Sequence, residues 1–180
     1  MLFEQLDVCA NNYVVLDVET NGLSSVRDDL LSISFFKPDE QKTYTRFLPL
    51  ELNDSVYPNI TEINGITTKD LEGLSPLSPA EITGLFNDFE LDRRTILHYG
   101  SLDPRFIKAY FKRHHLLGYD SMTFFNFKKL ICSSRYSDGN ISKDNLCTMF
   151  GISGVSLFIP ASTIAFWNGS GLKKLMAARF

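Results

Sequence analysis

Cysteine is scarce: Cys9, Cys132 and Cys147 are the three in 180 residues, odd in number and far apart. That spacing excludes a disulfide framework and a zinc cluster, and it fits reduced thiols in a cytosolic protein. Basic charge is not in excess either. Lys and Arg number 18 against 21 Asp and Glu, a net charge of −3, so no bulk attraction to a polyanion is available. Contact with a polynucleotide would have to come from bound metals and local basic groups. No apolar run approaches the length of a membrane span, and Met1-Leu2-Phe3-Glu4-Gln5-Leu6-Asp7 lacks the basic start and apolar core of a signal peptide. A cytoplasmic protein is expected. Beyond Phe150 the sequence has no histidine and no acid.

What is present is ordinary globular material, 44% hydrophobic and 22% charged, in a length suited to one domain. One stretch organises the rest, Tyr13-Val14-Val15-Leu16-Asp17-Val18-Glu19-Thr20-Asn21-Gly22-Leu23. Tyr13 to Leu16 reads as a buried strand that delivers two carboxylates just before a Thr-Asn-Gly turn. Residues two apart in a strand share a face, so Asp17 and Glu19 should sit side by side. Burying two such charges unpaired costs roughly several kcal/mol per ion, and a divalent cation relieves it. Oxygen-only donors suit Mg²⁺ or Mn²⁺ rather than zinc.

The next segments build the frame. Leu30 to Phe36 and Lys42 to Leu48 read as further strands joined by a Pro38-Asp39-Glu40 turn, giving an antiparallel meander. Pro58 to Leu71 reads as two short helical turns parted by Asn64-Gly65, with Thr67 or Thr68 as a cap. Ser78-Pro79-Ala80-Glu81 is a capping box opening a helix whose stripe is Ile82, Leu85, Phe86 and Phe89. Thr95 to Leu97 is a short strand before His98, Tyr99 and a Gly100-Ser101 turn. Asp103 then stands at a helix start, in the place of an N-cap, with Phe106, Ile107, Tyr110 and Phe111 as the stripe. Lys112-Arg113-His114-His115 reads as cations at that helix's C-terminus. Met122 to Ile131, with Phe124, Phe125 and Phe127 beside Lys128 and Lys129, is expected to be a core-packing helix. Ser142 to Ile152 reads as another helix, ended by Gly151.

The segment Asp17-Val18-Glu19-Thr20-Asn21-Gly22-Leu23 resembles the first motif of the DnaQ-like 3′-to-5′ exonucleases, the ribonuclease H-like class that includes the proofreading subunit of bacterial DNA polymerase III. Asn64-Gly65-Ile66-Thr67 resembles that family's linker ahead of its first long helix. His98 and Asp103 match its second motif, with Tyr99 in place of the usual Asn. The resemblance covers roughly Asn11 to Gly154. It implies an α/β, ribonuclease H-like fold with a central mixed sheet flanked by helices, an exonuclease-like domain over residues 1–154 and a tail over 155–180. It also implies two Mg²⁺ or Mn²⁺ ions held by Asp17, Glu19 and Asp103, with Thr20, Gly22, Leu23 and His98 about the terminal nucleotide. The implied partner is a single-stranded 3′ end of DNA or RNA, and a polymerase in some members.

The family's last motif, a histidine followed five residues later by an aspartate, has no counterpart here. Residues 159–171 instead read Ile-Pro-Ala-Ser-Thr-Ile-Ala-Phe-Trp-Asn-Gly-Ser-Gly, a poor amphipathic helix. A shifted reading frame would account for this, as would a natural variant that lost its last motif or an unrelated tail. Taking the last base of each codon with the first two of the next, Phe158 into Ile159 yields only His or Tyr, and Thr163 into Ile164 allows Asp five places on. Phe166 into Trp167 must give Leu, and Trp167 into Asn168 must give Glu. As written, the chain is expected to be inactive or severely impaired as a nuclease. The alternatives are a non-catalytic nucleic-acid-binding or scaffold module of the same fold, and an unrelated α/β domain whose three acids lie apart.

Overall fold

The computed structural model describes residues 12–128. The apolar, β-branched start of the chain does form a strand, β1 (Tyr13–Thr20), and it runs on through both acids. β2 (Leu30–Lys37) and β3 (Lys42–Phe47) complete the expected antiparallel meander. β4 (Thr95–His98) joins β1 on its other side in parallel. The sheet order is β3-β2-β1-β4-β5, a mixed sheet with β1 at its centre. β2 is buried along its whole length, whereas β3, at the edge, alternates: Thr43 and Thr45 are exposed, and Lys42 and Arg46 share the face of Tyr44.

The fifth strand corrects the sequence reading of Met122 to Ile131. Thr123–Asn126 is β5, parallel to β4, not a helix. A short aromatic run bounded by a turn suits a buried strand as well as a helix, and pairing with β4 decides it. A 3₁₀ turn, Tyr119–Ser121, leads into it. The continuation past residue 128 lies outside the described residues, as do the predicted helix from Ser142, the three cysteines and the tail over 155–180.

The helices follow the sequence closely. α1 (Pro58–Asn64) and α2 (Thr68–Leu71) are parted by Gly65, whose φ of 74° places it in the left-handed region. Thr67 caps α2 through a box with Asp70. α3 (Pro79–Phe89) begins at Ser78, whose Oγ accepts from the Glu81 amide at 3.2 Å while Glu81 Oε2 accepts from the Ser78 amide at 2.8 Å. α4 (Leu102–Arg113) buries Phe106, Ile107, Tyr110 and Phe111. Together α3 and α4 cover the face of the sheet that presents Val14, Leu16, Ile33, Phe35 and Ile96. Asp17 and Glu19, of opposite parity to Leu16 and Val18, are directed to the other face.

At the end of the sheet away from the acids, Lys37 Nζ lies 2.6 Å from Glu40 and 3.0 Å from Glu90, and Arg94 Nε lies 2.6 Å from Glu90. Burial pulls the Lys37 ammonium down, but its two carboxylate partners outweigh that and leave it above its ordinary value. Hydrogen bonds from Lys37 and Arg94 hold Glu90 well below the usual carboxylate range, at about 2. Because the folded-state value is depressed, this contribution is whole above the unfolded value of 4.5 and is lost as pH falls from there toward about 2. Urea midpoints followed from pH 6 downward should therefore drop through that window, and drop less steeply in Glu90→Gln. Parallel profiles for the two proteins would contradict the assignment.

Candidate functional site

β1 pairs with β4 only as far as Val15. Beyond it β4 ends at His98 and the chain turns away at Gly100, which adopts a φ of 98°. The β1 backbone on that edge thus needs another partner, and the first turn of α4 supplies it. Asp103 Oδ1 accepts the Val18 N–H at 3.2 Å. Asp103 is not the N-cap of its helix, a position that Ser101 occupies. Its carboxylate is 5% exposed and docks on the backbone between Asp17 and Glu19. His98 Nδ1 stands 3.8 Å from Asp103 Oδ2, and the ring meets Phe124 edge-on at 6.2 Å. His98, only 5% exposed, belongs to the wall behind Asp103.

Across β2 the two β1 acids face small hydroxyl side chains, Asp17 opposite Ser34 and Glu19 opposite Ser32. The register then shifts between Glu19 and Thr20, so that Thr20 pairs with Leu30 and Leu31 is skipped. Such an irregularity bends a strand and re-aims the residues beyond it. Thr20 Oγ1 donates to the Gly22 carbonyl at 2.7 Å, closing the turn. A Cβ on Gly22 would collide with the carboxylate of Asp28, which accepts the Ser24 amide at 2.8 Å, so a larger residue there would have to displace that carboxylate from its bond. Leu23 and Val26 emerge just past it, 73% and 80% exposed. Arg105 Nη2 reaches the Leu23 carbonyl at 3.5 Å and ties this loop to α4.

Two residues that the motif reading passes over hold this end of the sheet together. Asn21, fully buried, donates through Nδ2 to Asn53 Oδ1 at 3.0 Å and to the Ser55 carbonyl at 2.9 Å, and its Oδ1 accepts the Tyr57 amide at 2.8 Å. Asp29, 1% exposed, accepts the amides of Glu51, Leu52 and Asn53 at 2.9–3.2 Å. The Asn21 amide donates to the Asp29 carbonyl at 2.9 Å, joining the two hubs. Loop 51–57 is thereby fastened beside the acids. The sequence signal was thin: an Asn inside a turn and an acid directly before an apolar strand.

Asp17 and Glu19 stand toward the carboxyl end of β1 and Asp103 in the first turn of the helix that follows β4, the region where open α/β sheets place their ligands. Among the described residues, no group of three or more His, Cys, Asp or Glu side chains is placed to hold a metal ion. The donor chemistry still suits a hard divalent cation. Mg²⁺ typically keeps several waters and is held by one or two carboxylates plus substrate phosphates, and Asp17 and Glu19, half-buried on one face, match that open arrangement. No helix among the described residues is long and apolar enough to cross a membrane.

In sequence, the chain is 35% identical over 114 residues to the PolC-type DNA polymerase III of Streptococcus pyogenes serotype M18, and equally so to that of serotype M1. The aligned part is 62% of this chain but 8% of the polymerase. In fold, it superposes on E. coli exonuclease I in complex with a dA16 oligonucleotide with a TM-score of 0.71 and 14% identity, and on the dT13 complex with 0.70 and 16%. The zinc-ion-bound form of the same enzyme with single-stranded DNA gives 0.67. Each match covers 94% of this chain and 41% of exonuclease I, so the chain spans well under half the length of the proteins it matches. No protein-family model matches the chain. The ribonuclease H-like fold and the DnaQ-like resemblance are both borne out.

Proposed function

We propose that this chain, which resembles the DnaQ-like exonucleases in sequence and fold, engages the single-stranded 3′ end of a nucleic acid at the Asp17–Glu19–Asp103 cleft and, as written, binds that end far better than it cleaves it. One observation carries the reading, the Val18 N–H to Asp103 hydrogen bond, by which a carboxylate from α4 joins two from β1. Asp17, Glu19 and Asp103 would hold Mg²⁺ or Mn²⁺, which supplies charge neutralisation at a phosphodiester when bound. Thr20, Gly22 and Leu23 would line the terminal nucleotide, with His98 backing Asp103. A place alongside a DNA polymerase, as in the PolC-type relatives, belongs to the same reading, with a cytoplasmic setting proposed for it.

Weak cleavage is expected from the sequence beyond Phe150, which holds neither a histidine to activate water nor a further acid to complete a metal set. Loss of a general base alone typically costs about 10²- to 10⁴-fold in rate. The same observation favours the second reading, a non-catalytic nucleic-acid-binding or scaffold module. Both are tested with 5′-labelled single-stranded DNA and RNA in Mn²⁺. The expected result is Mn²⁺-dependent binding that Asp17→Ala abolishes, with trimming at the limit of detection. Ready Mn²⁺-dependent trimming that Asp17→Ala removes would instead establish a competent nuclease. Binding indifferent to both Mn²⁺ and Asp17→Ala would leave only the non-catalytic module, with the acids holding no metal.

A further inference from the structure

The structure assigns Asn64 as a positioning residue for Glu19, an inference that rests on the proposed role of the acidic cleft. Asn64 is the last residue of α1 and is 3% exposed. Its carboxamide is used at both ends. Nδ2 donates to Glu19 Oε2 at 3.3 Å, and Oδ1 accepts the Ile66 amide at 3.0 Å. The second bond fixes the side chain on the Gly65 turn, so the first bond presents a donor from a fixed base to a half-buried carboxylate.

The base is itself anchored to β1. At the other end of α1, the amide of Tyr57, the residue preceding the helix, donates to Asn21 Oδ1 at 2.8 Å. Helix α1 is thus held at its start by Asn21 and at its finish by Glu19, two residues apart in the segment that carries the acids. A glutamate has three side-chain torsions to fix, and an isolated one facing Ser32 across the sheet would sample several directions. The hydrogen bond from this rigid donor favours one of them and helps to hold the carboxylate in the pose that a cation would meet. An amide suits this post, because it gives the carboxylate a donor while adding no charge that would compete with a metal.

The experiment is a double-mutant cycle read as the Mn²⁺ concentration giving half-maximal anisotropy of fluorescein-labelled (dT)₈ carrying a non-hydrolysable 3′ phosphorothioate linkage. Asn64→Ala in the parent chain should raise that midpoint about 10-fold, in the range typical for outer partners of metal ligands. In the Glu19→Gln background the same change should move it less than about 2-fold, because the residue acts through Glu19. Asn64→Gln, which keeps a donor, should recover part of the loss. Equal shifts in both backgrounds, or none in the parent, would overturn the assignment and reduce Asn64 to a turn residue. Asp17→Ala separates the two levels. If it leaves the midpoint unchanged, the acidic cleft is not the metal site and the inference falls with it; if it weakens binding while the Asn64 cycle shows no coupling, the inference alone fails.

Discussion

Replacing Asp29 with alanine is expected to lower the unfolding free energy by about 3–5 kcal/mol, since three backbone amides lose a buried acceptor at once. A donor left unpaired costs about 1–3 kcal/mol where it is shielded from water, and the Asp29 acceptor that all three share is 1% exposed. The sum is a large share of the roughly 5–15 kcal/mol that holds a domain folded. Asp29→Asn keeps one acceptor oxygen but sets an NH₂ against an amide N–H, so it should fall between the parent and Asp29→Ala. Urea midpoints at unchanged m-value give the comparison. An alanine variant within about 1 kcal/mol of the parent would mean that loop 51–57 finds other partners and that the hub is not structural. The loss should also reach the cleft, because the amides that Asp29 holds position Asn53, which accepts from Asn21.

Much of this architecture was legible in local spacing. The period of two that puts Asp17 and Glu19 on one face needs only that Tyr13–Thr20 be a strand, and its β-branched start guarantees that. The Ser78–Glu81 box and the stripe Ile82, Leu85, Phe89 are likewise local, so α3 begins and faces as the sequence says. The illegible part depends on residues far apart in sequence. Asn21 acts on Tyr57, 36 residues on, and Asn64 on Glu19, 45 residues back. Neither partner can be named before the fold closes. β5 failed for a different reason. Its Phe-rich run satisfies the burial needs of a strand or a helix equally, and the open edge of β4, a tertiary fact, selects the strand. Asp103 shows the same limit in milder form. An acid at a helix start reads as a cap, and only the departure of β4 from β1 after Val15 exposes the amide it takes instead.

That exposed amide separates two roles in Asp103, and two substitutions should pull them apart. Asp103→Asn can keep an oxygen on the Val18 N–H, so the edge of β1 stays satisfied while the charge disappears. Asp103→Ala removes both. If the carboxylate serves the proposed metal site, both variants should weaken Mn²⁺-dependent binding of a single-stranded 3′ end, by at least the 10- to 100-fold or so seen when partners of metal ligands are lost. Stability should divide them instead. The alanine variant leaves a buried amide unpaired beside a cavity and should be less stable than the parent by about 2–3 kcal/mol, with the asparagine variant much closer to it. Should Asp103→Asn bind the oligonucleotide as tightly as the parent in Mn²⁺, the residue would be a strand-edge plug alone. The cleft would then rest on Asp17 and Glu19, a pair that can hold one cation but cannot clamp two.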